Sequence, residues 1–133
     1  MAFTADEIEY IRTQPLARVA TVSADGQPDA VPVGFQFDGR DFYIGGYDPT
    51  NTRRARNIRS GNHKVALVID DLASTRPWVP RYLRVYGTAE LVSHRGQDIM
   101  KVTPVTSWSV NIDGGIPAGG PSYTPKKTVH ARA

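Results

Sequence analysis

From Val19 onward the apolar residues recur at every second position in short runs, and a turn-forming dipeptide cuts each run. Val19-Ala20-Thr21-Val22-Ser23 leads into Ala24-Asp25-Gly26-Gln27. Val31, Val33, Phe35 and Phe37 then fall on one side of the next run, and Asp38-Gly39-Arg40-Asp41 turns the chain back into Phe42-Tyr43-Ile44-Gly45-Gly46. A period of two sends alternate side chains to opposite faces of a strand, and Asp-Gly favours the tight turns that join antiparallel neighbours. Residues 64–70, with Val65-Ala66-Leu67-Val68-Ile69, form a nearly continuous apolar run. That composition exceeds what a one-sided strand needs, so a strand covered on both faces is expected, the outer one by a second subunit. A Pro-containing loop at residues 72–80, a strand at 82–92 with Gly87 as a bulge or bend, and a last short strand near 106–112 complete the pattern.

Two segments break the period. Thr4-Ala5-Asp6-Glu7 has the capping-box spacing, and Ile8 and Ile11 recur at helical spacing before Pro15, which predicts a helix over residues 5–14. Pro49-Thr50-Asn51-Thr52 is a helix start, Ala55 and Ile58 give a buried stripe, and Gly61-Asn62 ends it. Five or six strands with short turns and two short helices make a small antiparallel barrel or closed sheet.

At 133 residues the chain is one domain with room for a core, and with no cysteine it has neither disulfides nor thiolate metal sites. No apolar run approaches the roughly 18 residues of a membrane helix, and the first residues lack a basic signal region, so a soluble cytoplasmic protein with no membrane partner is expected. The fold is expected in residues 1–112. Residues 113–133, with Gly114-Gly115, Pro117, Gly119-Gly120, Pro121 and Pro125, read as a tail without regular structure.

A net charge of +3 is too small to mark a nucleic-acid binder, and no nucleic-acid partner is expected; the distribution of charge says more. Between Asp48 and Asp70 there is no carboxylate, while Arg53, Arg54, Arg56, Arg59 and Lys64 all fall there. Two glycines end a strand just before this cluster and a helix opens within it. Helix starts offer free N–H donors, and guanidinium groups match phosphate geometry with paired donors. On the helical wheel Arg54 and Arg56 border the buried stripe, and Arg53 points outward. Two readings stay open at this level: a solvated basic helix, or a phosphate site outside the familiar Walker and G-x-G-x-x-G fingerprints.

The remaining candidates are weaker. His63, His94 and His130 lack metal-ligand spacing and read as structural or surface residues, no metal being expected. The serines lack a nucleophile-elbow context. Asp70-Asp71 read as a turn, since adjacent strand residues face opposite ways. Trp108 reads as core, and Trp78, between Pro77 and Val79-Pro80, as an interface or pocket lid. Tyr82, Arg84 and Tyr86 share a face that offers only a thin stacking platform for single-stranded nucleic acid.

Taken in order, Ala17-Arg18-Val19-Ala20-Thr21-Val22, Asp25-Gly26-Gln27-Pro28, Pro32-Val33-Gly34-Phe35-Gln36-Phe37-Asp38, Asn57-Ile58-Arg59, Val65-Ala66-Leu67-Val68 and Tyr86-Gly87-Thr88-Ala89-Glu90-Leu91 resemble the flavin and deazaflavin oxidoreductases of the pyridoxamine-5'-phosphate-oxidase-like superfamily. The likeness covers roughly residues 5–112. It implies a mainly β fold, a six-stranded antiparallel split β-barrel with two short helices, working as a homodimer with the cofactor at the interface. It further implies that Arg54 binds the cofactor phosphate with Thr52 and Arg53 beside it, that Gly46 and Tyr47 lie along the phosphate and ribityl chain, that Pro32, Val33 and Gly34 border the ring, and that Trp78 approaches from a loop; Arg56, on the other border of the helix's buried stripe, joins them as a cofactor-binding candidate from the helical wheel. Asn62-His63 replaces the family's usual Asn-Pro. The stretch 93–103 is too short for the helix many members carry, and the C-terminal substrate segments of true pyridoxamine-phosphate oxidases are missing. The short chain and its Pro-Val-Gly-Phe strand look most like members that use the deazaflavin F420. The expected function is hydride transfer to a small reducible molecule; the alternatives are an FMN-dependent oxidoreductase of the same fold or a non-catalytic flavin or deazaflavin carrier.

Overall fold

The computed structural model describes residues 2–113 and 123–131. Helix α1 (Ala5–Thr13) opens with the capping box foreseen: Thr4 Oγ1 accepts from the Glu7 N–H, and Glu7 Oε1 accepts from the Thr4 N–H. Eight strands follow: β1 (Ala17–Val22), β2 (Pro28–Val33), β3 (Gln36–Phe37), β4 (Phe42–Ile44), β5 (Lys64–Thr75), β6 (Trp78–His94), β7 (Gln97–Val110) and β8 (Lys126–Val129). Helix α2 (Arg53–Arg59) sits between β4 and β5, behind a 3-10 turn at Pro49–Asn51.

All strand pairs are antiparallel, and the hydrogen-bonded order is β2-β1-β5-β6-β7-β4-β3 with β8 on β7. The two ends of that path, β2 and β3, are joined by Gly34-Phe35 alone. Two residues reach only about 10 Å, so the sheet must curl until its edges meet. Those edges are not paired with each other in the strand order, which makes this a split β-barrel. The extra strands beyond six are short pieces: β3 has two residues, and β8 lies in the C-terminal segment expected to be unstructured. The strand forms because Thr106 to Ser109 of β7 needed a partner along that edge; Val129 pairs with Thr106 and Lys126 with Ser109. The glycine-rich part of that tail, residues 114–122, lies outside the described residues.

Inward positions alternate as foreseen. Val19, Leu67, Ile69, Leu83, Val85, Val102, Phe42 and Ile44 are fully buried, with Phe3, Tyr10, Ile11 and Ile58 plugging the barrel from the helical segments. Each such side chain contributes about 1.5–3 kcal/mol by leaving water. On the outer face of β5, Ala66 and Val68 are only half-buried.

Three sequence-based expectations need correction. The loop placed at residues 72–80 is an extended hairpin arm: β5 runs to Thr75, and Leu72 pairs with Pro80 across a bulge between Leu72 and Ser74. Asp70 and Asp71 are therefore strand residues rather than a turn, and they do face opposite ways. Asp70 pairs with Arg18 at 3.4 Å, whereas Asp71 meets Arg81 and Tyr10. Finally, the last strand begins at Gln97, about ten residues earlier than expected. It is joined to β6 by Arg95-Gly96, at φ 51° and 79°, a two-residue hairpin turn whose first position an arginine rarely takes.

Candidate functional site

The passage from β4 to α2 is built by short-range polar contacts. Asn51 Nδ2 donates to both carboxylate oxygens of Asp48 at 3.1 Å, and Thr50 Oγ1 accepts from the Asp98 N–H at 3.1 Å, tying the turn to β7. Thr52 caps α2: its hydroxyl oxygen accepts from the Ala55 N–H at 3.2 Å and its proton goes to the Pro49 carbonyl. Ala55 and Ile58 are buried, as the stripe required, and the buried Asn57 donates to Thr21 Oγ1 at 2.8 Å, locking the helix to β1. With the helix fixed at these points, Arg54 is directed back over the end of β4.

Arg54 Nη2 donates to the Gly45 carbonyl at 2.7 Å, and the side chain is half-buried. Burial pushes its pKa down, opposed by the charge of Asp29 on β2. Gly46 lies against the same guanidinium nitrogen. Its φ of 108° suits glycine, and a Cβ there would come within 3.2 Å of Arg54 Nη2. The Gly45 bond uses one of the five guanidinium N–H donors. Arg53, Arg56 and Tyr47 are exposed around it, Tyr47 fully so. Arg59, by contrast, is spent locally: it donates to the Thr50 carbonyl and lies 3.8 Å from Asp98.

The other foreseen residues do not all gather here. Val33 is buried opposite Ala17, Pro32 is exposed opposite Arg18, and Gly34 follows at the open edge of β2. Pro32 and Val33 share β2 with Asp29, whose charge acts on Arg54. Trp78 stands exposed at the tip of the β5–β6 arm. Leu91 of β6 is level with Ile44 through Met100, and Trp78 comes thirteen residues before it on the same strand. At about 3.3 Å per residue, that is roughly 40 Å along the strand. Trp78 and Arg54 of one chain thus lie towards opposite ends of the sheet.

A cavity of about 540 Å³ opens on the outer face of the sheet, over Ala20, Val22, Lys64, Ala66, Tyr86 and Thr106. Ala20, Ala66, Tyr86 and Thr106 are successive cross-strand partners in one row. Two alanines side by side leave the floor low, and Tyr86 forms one wall. In the neighbouring row Arg84 lies over the Trp108 ring at 4.4 Å and the Tyr86 ring at 5.5 Å. Trp108 is therefore an outer-face residue, half-buried against Arg84 and Tyr86, and not a core residue as its strand position suggested. Thr21 and Pro28 also line this cavity. Thr21 receives the hydrogen bond from Asn57, and Asp29 follows Pro28, so α2 and the cavity meet at the β1–β2 hairpin. Reading the sequence missed this wall. Its one signal was the small Ala66 among larger apolar residues.

Comparison with known proteins agrees with this architecture. Residues 4–123 match the Pyridoxamine 5'-phosphate oxidase family. A curated 5a,11a-dehydrotetracycline/5a,11a-dehydrooxytetracycline reductase from Streptomyces rimosus is 34% identical over 125 residues, covering 85% of this chain and 87% of that protein. Among solved structures, a heme binding protein from Mycobacterium smegmatis superposes with a TM-score of 0.70 at 13% identity, over 97% of this chain and 59% of the other. An F420 reductase superposes with a TM-score of 0.57 at 22% identity, over 71% and 90%. The split barrel, the order of its strands and the sequence match over nearly the whole chain place this protein in the Pyridoxamine 5'-phosphate oxidase family of split-barrel oxidoreductases.

Proposed function

We propose that the protein is a reductase that uses the deazaflavin F420 to transfer hydride to a conjugated double bond of a small molecule. The observation that carries this reading is Arg54: a half-buried guanidinium held by the Gly45 carbonyl, left uncovered by Gly46, and flanked by exposed Arg53 and Arg56. These residues fit a phosphate diester or monoester, which needs paired donors and a backbone free of side chains above it. The carboxylate-free stretch after Asp48, with exposed Arg53, Arg56 and Lys64, favours a cofactor with an acidic tail, which F420 has and FMN lacks. The curated relative's name, a reductase of dehydrotetracyclines, supports a conjugated substrate, and the likeness to an F420 reductase supports the cofactor.

When bound, the deazaflavin supplies a hydride from C5. The chain's own tasks are to hold the phosphate at Arg54, to border the ring with Pro32, Val33 and Gly34, and to keep water from the reacting face. A second copy of the chain completes the site. The outer face of β1, β5, β6 and β7 carries Ala20, Ala66, Val68, Tyr86 and Trp108 half-buried or exposed, a surface suited to self-association. Since Trp78 and Arg54 of one chain are towards opposite ends of the sheet, Trp78 reaches the cofactor groove from the partner. Mixing the purified protein with reduced F420 and an α,β-unsaturated ketone, and following the return of oxidised-F420 absorbance, tests the reading. Turnover is expected. Turnover with reduced FMN alone would assign the flavin branch, and binding without turnover would assign a carrier.

A further inference from the structure

The β5–β6 hairpin outruns its neighbours. β1 is in register with β5 only as far as Arg18 opposite Val68, and β7 joins β6 only from Val110 opposite Tyr82. Beyond Asp70 and Tyr82 the hairpin continues as a ribbon of two strands to the turn at Arg76-Pro77. Trp78 is four residues past Tyr82, so at about 3.3 Å per residue it stands roughly 13 Å beyond the end of β7. Side chains of β6 alternate without interruption from Trp78 to Tyr86, and Val79 is fully buried. Trp78 is therefore directed to the outer face, the face of Tyr82, Arg84 and Tyr86.

A ribbon of two strands is marginal in water by itself. Here three side chains from other parts of the chain hold it, each on a backbone carbonyl of β6. Tyr10 of α1 donates to the Arg81 carbonyl at 3.2 Å, Asn111 Nδ2 to the Pro80 carbonyl at 2.9 Å, and the Tyr123 hydroxyl to the Trp78 carbonyl at 3.2 Å. Asn111 directly follows β7 at a φ of 55°, a left-handed conformation that asparagine takes more readily than most residues. Tyr123 comes three residues before β8. Its bond is the outermost of the three and falls on Trp78 itself. Trp78 is 57% exposed and Tyr123 61%, so the core fixes neither ring.

We propose that Tyr123 is a positioning residue for Trp78: the segment leading into β8 braces the arm, and the Tyr123 hydroxyl sets the direction in which the indole is presented. The proposal rests on the reading that Trp78 reaches the cofactor groove of the partner. An aromatic side chain on a loose ribbon must be ordered when it docks, at a cost that a hydrogen bond already in place reduces. The C-terminal segment thereby acts on the site without touching the cofactor.

Hydrogen exchange of the full chain, and the two indole resonances of ¹⁵N-labelled protein, read the brace with no cofactor present. Tyr123→Phe keeps the ring and loses only the hydroxyl. The amides of Trp78 and Val79 are expected to exchange about three- to tenfold faster in it, the worth of one hydrogen bond, and the Trp78 indole resonance to move while that of Trp108 stays. Asn111→Gly, which suits the left-handed backbone and loses Nδ2, should speed the same amides. F420 titration then reads the consequence: affinity should fall about three- to tenfold in Tyr123→Phe, at least as far in Trp78→Ala, and no further when the two are combined. Unchanged exchange and an unmoved indole in Tyr123→Phe would overturn the proposal. So would an affinity loss from Tyr123→Phe that persists in full in the Trp78→Ala background, because the hydroxyl would then act apart from the indole. Faster exchange in a protein whose wild type binds no cofactor would keep the brace and overturn the function it serves.

Discussion

The Arg54 guanidinium donates to the Gly45 carbonyl at 2.7 Å, so the second residue of α2 is tied to the glycine that follows β4. The bond spans nine residues and orients the cation before any ligand arrives. Preorganisation of this kind lowers the cost of binding an anion, because the side chain need not be ordered when the anion docks.

Replacing Arg54 by Ala removes a charge-assisted contact, and the affinity for the phosphate-bearing cofactor should fall by about 1.5–3 kcal/mol. Gly46→Ala should act on the same contact from below, through a strained φ and a Cβ within 3.2 Å of the guanidinium. Fluorescence titration of both variants, with circular dichroism to verify the fold, makes the comparison. Wild-type affinity in a folded Arg54→Ala protein would return this arginine to the solvated face of the helix.

Gly87 sits at the bulge between β6 and β7, facing Pro104. A Cβ there would fall 2.6 Å from the Thr103 carbonyl oxygen and 3.1 Å from Val102 Cγ1. Backbone must move to admit it, so Gly87→Ala should cost roughly 1–3 kcal/mol in urea unfolding. A neutral result would mean that the bulge tolerates a wider strand spacing than the geometry implies.

The Tyr10 hydroxyl donates to Asp71 Oδ1 at 2.9 Å and to the Arg81 carbonyl at 3.2 Å, clamping α1 to the base of the arm that carries Trp78. Arg81 hydrogen bonds hold the Asp71 carboxyl below its ordinary range, with the Tyr10 bond adding to the effect. A depressed carboxyl stabilises the fold fully above its unfolded value near about 3.9, and the contribution is lost as pH falls through the lower folded value. Tyr10→Phe should therefore cost about 1–2 kcal/mol at neutral pH and less below about pH 4. Denaturant melts at both pH values read the difference; an equal loss at each would separate the hydroxyl from the Asp71 titration.

If the outer sheet face joins two copies, a charge at its centre should separate them. Ala66 lies between Ala20 and Tyr86 in the cross-strand row, and Ala66→Glu should shift the sedimentation of the protein from dimer to monomer and remove cofactor binding with it. A variant that stays dimeric would move the interface elsewhere.

Much of this fold is legible because its signals are local. The capping box at Thr4, the alternation from Val19 to Phe37 and the stripe of Ala55 and Ile58 each specify their element within a few residues. The arm beyond Asp70 was hidden by prolines, which normally argue against strands; Pro77 occupies its turn, and Pro80 lies before the stretch where β7 joins β6. The hairpin at Arg95-Gly96 was hidden by an arginine at positive φ. In the site, Arg54 and Gly46 were readable as neighbours in sequence. The outer-face cavity was not, because Ala20, Ala66 and Tyr86 meet only through cross-strand register.

The most direct test of the account is a parallel titration of the purified protein with oxidised F420 and with FMN, read by cofactor fluorescence. Saturable binding of F420, tighter than that of FMN and weakened in Arg54→Ala, is the expected result. Failure to bind either cofactor, with the fold intact, would contradict the proposed function at its root.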